Sequence, residues 1–254
     1  MDHLNGKAAV ITGASRGIGA AAARFFAARG ALVVLAARST NQTEAIAAEI
    51  RSAGGGAQAI ACDVADPAAI EAAIATCETA FGRFDFLVNN AGLIDPIGRI
   101  EDLSPADYGR VIDVNLKGVF NGLSAALPRL TRRGEGVIVN ISSGAATSAL
   151  EGWSHYCSSK AGVLSLTRCA ERENQDSAVR VVGLSPGTVA TEMQVQIKAS
   201  GINPVSQLDP DAHIPAEWAA RAIAWLCGPD AAEFRGVDVS LRDEDIRRRV
   251  GLIA

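Results

Sequence analysis

Aromatic residues make up only 5% of the 254-residue chain, so close helix-on-sheet packing is favoured over an aromatic-rich binding surface. No long basic run occurs and the formal charge is −4. Nucleic acid requires a clustered positive face, and none is supplied. The one charge-dense stretch, Arg242-Asp243-Glu244-Asp245 followed by Arg247, Arg248 and Arg249, mixes both signs and reads as a solvated or subunit-contact segment. The cysteines (Cys62, Cys77, Cys157, Cys169 and Cys227) are odd in number and lack any C-x-x-C. That argues against a disulfide framework and against zinc, and Cys157 reads as a small buried residue. His3 and His213 have no cluster of cysteines or carboxylates at ligand spacing, so no metal is expected. No apolar run approaches the ~20 residues of a membrane span. The N-terminal Met1 to Gly6 lacks the character of a signal peptide, and a soluble cytoplasmic protein is the expectation.

What the chain does have is 48% hydrophobic residues, with alanine and glycine prominent, which suits one large α/β domain over 1–254. Short apolar runs recur at Ala8 to Ile11, Leu32 to Leu35, Ala57 to Ala61, Phe84 to Val88, Val137 to Ile141 and Val179 to Leu184, with a last one at Val237 to Leu241. Runs rather than alternation imply strands buried on both faces. Between them lie helical stretches such as Ala20 to Arg29, Thr43 to Ser52, Pro67 to Phe81 and Leu164 to Arg172. This alternation predicts a parallel, doubly wound sheet. Gly30 is placed to cap the first helix, and Asp66-Pro67 to start another. The stretch from Thr188 to Pro215 breaks the rhythm; a loop of that length suggests a lid over a substrate.

The first strand runs into Thr12-Gly13-Ala14-Ser15-Arg16-Gly17-Ile18-Gly19. Glycines there let the backbone approach a pyrophosphate while helix N–H groups face its charge, although a tight turn alone would also need glycine. With this turn, Asp63-Val64, Asn89-Asn90-Ala91-Gly92, Val114-Asn115, Ser142-Ser143, Tyr156-Cys157-Ser158-Ser159-Lys160 and Pro186-Gly187-Thr188 occur in order. Together they resemble the short-chain dehydrogenases/reductases over essentially the whole chain. The resemblance implies a single-domain Rossmann fold with a seven-stranded parallel sheet, and hydride transfer between a nicotinamide and a carbonyl/alcohol pair.

By resemblance, Gly13, Ser15, Arg16, Gly17, Ile18 and Gly19 hold the cofactor. Asp63 and Val64 flank the adenine. Asn89, Ala91 and Gly92 form the turn beneath the cofactor, and Pro186, Gly187 and Thr188 complete its site with Tyr156 and Lys160. NAD users of this fold place an acid at the end of the second strand. Here that end reads Leu35-Ala36-Ala37-Arg38-Ser39, with no acid. Arg38 and Arg16 would meet a 2′-phosphate from two sides, so NADP(H) is the expected cofactor.

Tyr156 and Lys160 stand four residues apart on a helical stretch, which puts their Cβ atoms about 5–6 Å apart on one face. A phenol's free pKa is about 10, and an ammonium at that range should favour the phenolate by ~3 kcal/mol, about two pK units. Tyr156 is then a general acid in reduction and a general base in oxidation. Ser143, at the carboxyl end of a strand, would bond the reacting oxygen; Ser142 competes, but the family's spacing favours Ser143. Asn115 matches the family's asparagine that holds a water in a relay from Lys160, though by itself it also reads as a helix-interior polar residue. His155 points about 100° away from Tyr156 on a helix and is set aside.

Leu93, Ile94, Ile97, Ala145, Ala149, Leu150, Trp153, Thr188 and Met193 should line the substrate pocket. They suit a neutral ketone or aldehyde, and Glu151 and Asp95 disfavour anions. An alternative within the family is a 3-oxoacyl-thioester (acyl-carrier-protein) reductase, with Arg129, Arg132 and Arg133 as the basic patch. The ending Gly236-Val237-Asp238-Val239-Ser240-Leu241 departs from the Gly-rich V-D-G-G strand common to members with that activity. A non-catalytic NADP(H)-binding regulator is a further alternative, disfavoured by the complete Asn115, Ser143, Tyr156 and Lys160 set. An epimerase or dehydratase fits the length and serine spacing less well. The resemblance also implies a homo-oligomer, a tetramer assembled through Asp107 to Arg129, Gly162 to Arg172 and the last strand, with a small carbonyl or alcohol as substrate.

Overall fold

The apolar runs become strands that send alternate side chains to opposite faces of one sheet. In the computed structural model, which describes residues 1–254, Ala9 and Ile11 of β1 (Ala8–Thr12) join one core, while Ala8 and Val10 join another. Strand β2 (Leu32–Ala37) divides the same way: Val33 and Leu35 face the first core, Val34 and Ala36 the second. Both faces must therefore be covered, and helices cover them. On one side lie α1 (Gly17–Ala27) and α2 (Thr40–Ser52), and on the other α3 (Pro67–Phe81).

The chain continues through β3 (Gly56–Ala61), β4 (Phe86–Asn89), α4 (Pro105–Ile112), α5 (Gly118–Arg133), β5 (Gly136–Ile141), α6 (Ser154–Glu173) and β6 (Val179–Ser185). It ends with α7 (Glu192–Ser200), α8 (Ala216–Leu226), β7 (Asp238–Ser240) and α9 (Glu244–Val250). The sheet is seven-stranded, in the order β3-β2-β1-β4-β5-β6-β7. Every pairing is parallel. This is the Rossmann architecture expected. The strand order reverses between β1 and β4, and a crevice at the carboxyl ends of the strands opens at that switch point. No helix is long and apolar enough to cross a membrane.

Three stretches differ from the sequence reading. Phe84 precedes β4 instead of opening it, because Arg83-Phe84-Asp85 forms a buried corner: Asp85 accepts from the Ala8 N–H at 2.8 Å and from Arg83 at 2.6 Å. Between Thr188 and Pro215 the chain is no bare loop; it contains α7, closed by Gly201 at φ 64°. The tail keeps its charges exposed to solvent, but from Glu244 to Val250 it is helix α9, which the sequence reading did not include. Asp243 caps it by accepting from the Asp245 N–H, acids fill its first turn and Arg247, Arg248 and Arg249 its last, complementing the helix dipole. Ile246 and Val250, four apart, dock into the core, while Arg247 and Arg249 lie over Trp218 and Trp225.

Candidate active site

Thr12 ends β1 and fastens the glycine turn. Its hydroxyl donates to the Val88 carbonyl and accepts from the N–H groups of Asn90 and Ala91 at 3.0 and 3.1 Å. The Asn90 amide returns to the Thr12 carbonyl at 2.8 Å. The turn is thereby pinned to the loop after β4 so closely that a Cβ on Gly13 would lie 2.8 Å from Ala91 Cα. Gly13 and Gly17 adopt φ of 63° and 55°, a region that L side chains rarely enter. Arg16, at the N-cap of α1, makes no side-chain capping bond, so the first N–H groups of that helix stay open to the cleft.

The resulting cleft is about 810 Å³ and runs along the carboxyl ends of the strands. Gly13, Ser15, Arg16, Gly17, Ile18, Arg38, Asp63, Val64, Ala91, Gly92, Pro186, Gly187 and Thr188 all line it. Gly19 and Asn89 do not: they shape it from behind. A Cβ on Gly19 would strike the Gly13 carbonyl at 2.4 Å, so only glycine fits there. Asn89 is buried in the sheet, donating to Asn140, whose own amide donates to Thr167. The glycine turn, the open helix end and the absence of a carboxylate beside Arg38 together form a cradle that fits a dinucleotide. Arg24 and Arg51 nearby pair with Glu49 and Glu44, whereas Arg16 and Arg38 stand exposed at the cleft without an ion pair.

Helix α6 delivers Tyr156 and Lys160 to the other end, and both are buried. The phenol is in hydrogen-bond reach of Ser143, at the end of β5. Lys160 Nζ donates to the Ile141 carbonyl at 2.7 Å and lies 5.6 Å from the centre of the Tyr156 ring. Burial pushes the Tyr156 phenol up to about 12, with the Ser143 hydrogen bond opposing it. Burial also pulls Lys160 down to about 8, with Asp238 opposing. The sequence-based expectation of a phenol lowered by its lysine is thus corrected. Desolvation of the phenol itself is the largest influence on it.

Ser142 turns the other way and donates to Asp238 Oδ2 at 2.9 Å. Asn115 sits in a π-helical stretch, Asp113–Lys117, between α4 and α5. Its side chain is fully engaged: Oδ1 accepts from the Leu93 N–H, while Nδ2 donates to the Leu93 carbonyl and to Ser159. Asn115 therefore anchors the Leu93 wall. His155 is buried against the Pro96 carbonyl at 2.7 Å, away from the cleft.

The apolar end of the cleft is a small cluster of Ile94, Ala145, Trp153, Tyr156 and Ile197, with Leu150, Met193 and Val205 against it. Leu93, Ile94, Ala145, Leu150, Trp153, Thr188 and Met193 line the cleft as expected. Ile97 and Ala149 do not line it; Ile97 packs against Gly152 behind the wall. Helix α7 supplies Met193, Gln196 and Ile197 to the wall, which is where the segment expected as a lid meets the site. Glu151 is drawn outward into a surface pair with Arg99. Sequence reasoning missed Arg242, which lines the cleft beside Gly187. Only the turn into α9 brings it there, and no motif signals that turn.

A family model described as short chain dehydrogenase matches residues 7–201. The chain belongs to that family and is an oxidoreductase of it, with a nicotinamide cofactor and alcohol or carbonyl chemistry. Among its relatives is D-threitol dehydrogenase of Mycolicibacterium smegmatis, 39% identical over 191 residues, 75% of this chain and 73% of that one. The 2,5-dichloro-2,5-cyclohexadiene-1,4-diol dehydrogenase of Sphingobium indicum is 35% identical over 242 residues, covering 94% and 96% of the two chains. The crystal structure of levodione reductase superposes with a TM-score of 0.87 at 27% identity, over 97% of this chain and 99% of that one.

Proposed function

We propose that this chain is an NADP(H)-dependent dehydrogenase/reductase that interconverts an uncharged secondary alcohol and its ketone, with Tyr156 as the general acid/base. The observation that carries this reading is the arrangement of one cleft. Tyr156, Ser143 and Lys160 meet at its apolar end, and unpaired Arg16 and Arg38 stand at the end where the glycine turn lies. The cofactor would supply or accept the hydride. Tyr156 Oη holds the proton that the substrate oxygen takes in reduction and returns in oxidation. Ser143 is placed to fix that oxygen by hydrogen bonding. Lys160, as an ammonium, makes the buried phenolate less costly to form. Asp63, exposed beside Val64, is placed for the adenosine, and Pro186, Gly187 and Thr188 for the nicotinamide side.

The uncharged substrate follows from the apolar cluster around Trp153 and is in keeping with relatives named for threitol and for a cyclohexadienediol. A carrier-protein thioester fits less well. Arg129 pairs with Glu71 and Glu78, and Arg133 with Asp85 and Glu135, so the candidate basic patch is largely neutralised. A panel of cyclic and acyclic secondary alcohols and ketones, followed through nicotinamide absorbance, tests the reading. Turnover is expected with uncharged members under NADPH or NADP⁺. No turnover of the panel beside turnover of a 3-oxoacyl thioester would favour the carrier-protein reading instead.

We also read the protein as a homotetramer. Phe120 on α5 is 54% exposed and Tyr108 on α4 37%, in one of the segments through which assembly was expected. Light scattering at micromolar concentration should report four chains; a monomer would refute this.

A further inference from the structure

Behind Lys160 stands a partly buried carboxylate, that of Asp238. Asp238 opens β7, beside Gly183 of β6. A Cβ on Gly183 would lie 3.0 Å from Asp238 Oδ1, so the lack of a side chain there leaves room for the carboxylate. Its Oδ2 accepts from Ser142, whereas Oδ1 is buried with no hydrogen-bond partner. An unpartnered buried carboxylate oxygen is costly unless a nearby charge compensates it.

Two cations act on it, Lys160 and Arg168, both from α6, and just past the end of β5 it faces the Ser142 hydroxyl. Lys160 in turn faces the Tyr156 phenol and the Ile141 carbonyl, and Asp238 is the carboxylate whose charge reaches it. Adjacent residues thus hold the two partners: the carbonyl of Ile141, the last residue of β5, takes the lysine, and the hydroxyl of Ser142, just past it, takes the aspartate. Within Gly236 to Leu241, Val237-Asp238 keep the V-D of the V-D-G-G ending, and the departure lies at Val239-Ser240.

We propose that Asp238 is a positioning residue that acts through Lys160, its negative charge keeping the buried lysine an ammonium during turnover. The proposal rests on the reading of Tyr156 and Lys160 given above. It has a sign. Burial draws Lys160 down to about 8 while Asp238 works against that pull, so removing the carboxylate must draw it lower. Reduction requires the ammonium, so kcat/KM falls as pH rises through the lysine's midpoint. In Asp238→Asn that alkaline limb should begin at lower pH.

The isosteric Asp238→Asn can still accept from Ser142, so it removes charge with little change of shape. Selective ¹³Cε labelling of lysine suits the test, since the chain has only four lysines (Lys7, Lys117, Lys160 and Lys198) and Lys160→Arg identifies the signal. The Lys160 midpoint in Asp238→Asn should fall by roughly one pH unit, and the alkaline limb of kcat/KM should move with it. Ser142→Ala, which keeps the charge, should shift neither. An unchanged lysine midpoint in folded Asp238→Asn overturns the proposal. A shifted midpoint with an unmoved limb overturns the role in turnover, and leaves Tyr156 to its own test. If Asp238→Asn does not fold, the wild-type Lys160 signal should show a second step at acidic pH as Asp238 takes up its proton. A single step would overturn the coupling.

Discussion

Replacing Tyr156 by Phe should lower turnover roughly 100- to 10,000-fold, the usual contribution of a positioned proton donor. The substitution deletes one oxygen. The ring keeps its edge-to-face contact with Trp153, at 5.6 Å between centroids, so the fold should survive. Cofactor affinity should stay within a few-fold, since the glycine turn and Arg38 are untouched. Lys160→Ala should differ: it removes the charge beside the phenol and the contact expected of Lys160 to the nicotinamide ribose, so turnover and cofactor affinity should fall together. Ser143→Ala should slow turnover alone. Steady-state rates beside cofactor titrations of the three variants check this. Near wild-type turnover in Tyr156→Phe would leave the family membership describing only fold and cofactor binding.

Removing Arg16 and Arg38 together should abolish the preference for NADPH. Hydrogen bonds to a charged group contribute roughly 1.5–3 kcal/mol, about tenfold to somewhat over a hundredfold in affinity per arginine. Both side chains are exposed at the cleft mouth, which favours the lower end, so the double variant should lose about a hundredfold in NADPH affinity. NADH affinity should change little, because its ribose offers no phosphate. Adding an acid at Ala37 while removing Arg38 should turn the preference toward NADH. Titration of both cofactors against wild type and variants decides it. Equal wild-type affinity for NADH and NADPH would overturn the assignment.

The sheet and the cofactor end were legible because their signals are local. Val33 to Ala37 is an apolar run whichever fold contains it, and Gly13 and Gly17 need positive φ wherever the chain turns that tightly. The pairing of Tyr156 with Lys160 was legible for the same reason, since four residues on a helix are neighbours. What the spacing could not carry was burial. A helix face predicts proximity, but the net effect on the phenol depends on how β5, β7 and α6 shut out water around Lys160. The Asp238 carboxylate was illegible too: Ser142 and Asp238 are 96 residues apart in sequence and meet across β6, where Gly183 has no side chain in the way.

The charged tail shows the opposite case, a helix signal present and left unread. Acids in the order Asp243-Glu244-Asp245 followed by three arginines fit a capped helix aligned with its own dipole, and Ile246 and Val250 supply a buried stripe. Reading the tail as mixed charge discarded that order, and Arg242 was lost with it. Asn115 lies in a π-helical stretch, and its amide bonds the Leu93 backbone, which no spacing in the sequence signals.

The most direct test of hydride transfer uses the best alcohol of the substrate panel, deuterated at its carbinol carbon. Oxidation with NADP⁺ should place that deuterium on the nicotinamide ring of the reduced cofactor, without exchange with water, and proton NMR of the isolated cofactor reads it. Oxidation that left the cofactor unlabelled, or with the label washed into solvent, would contradict direct hydride transfer in this cleft.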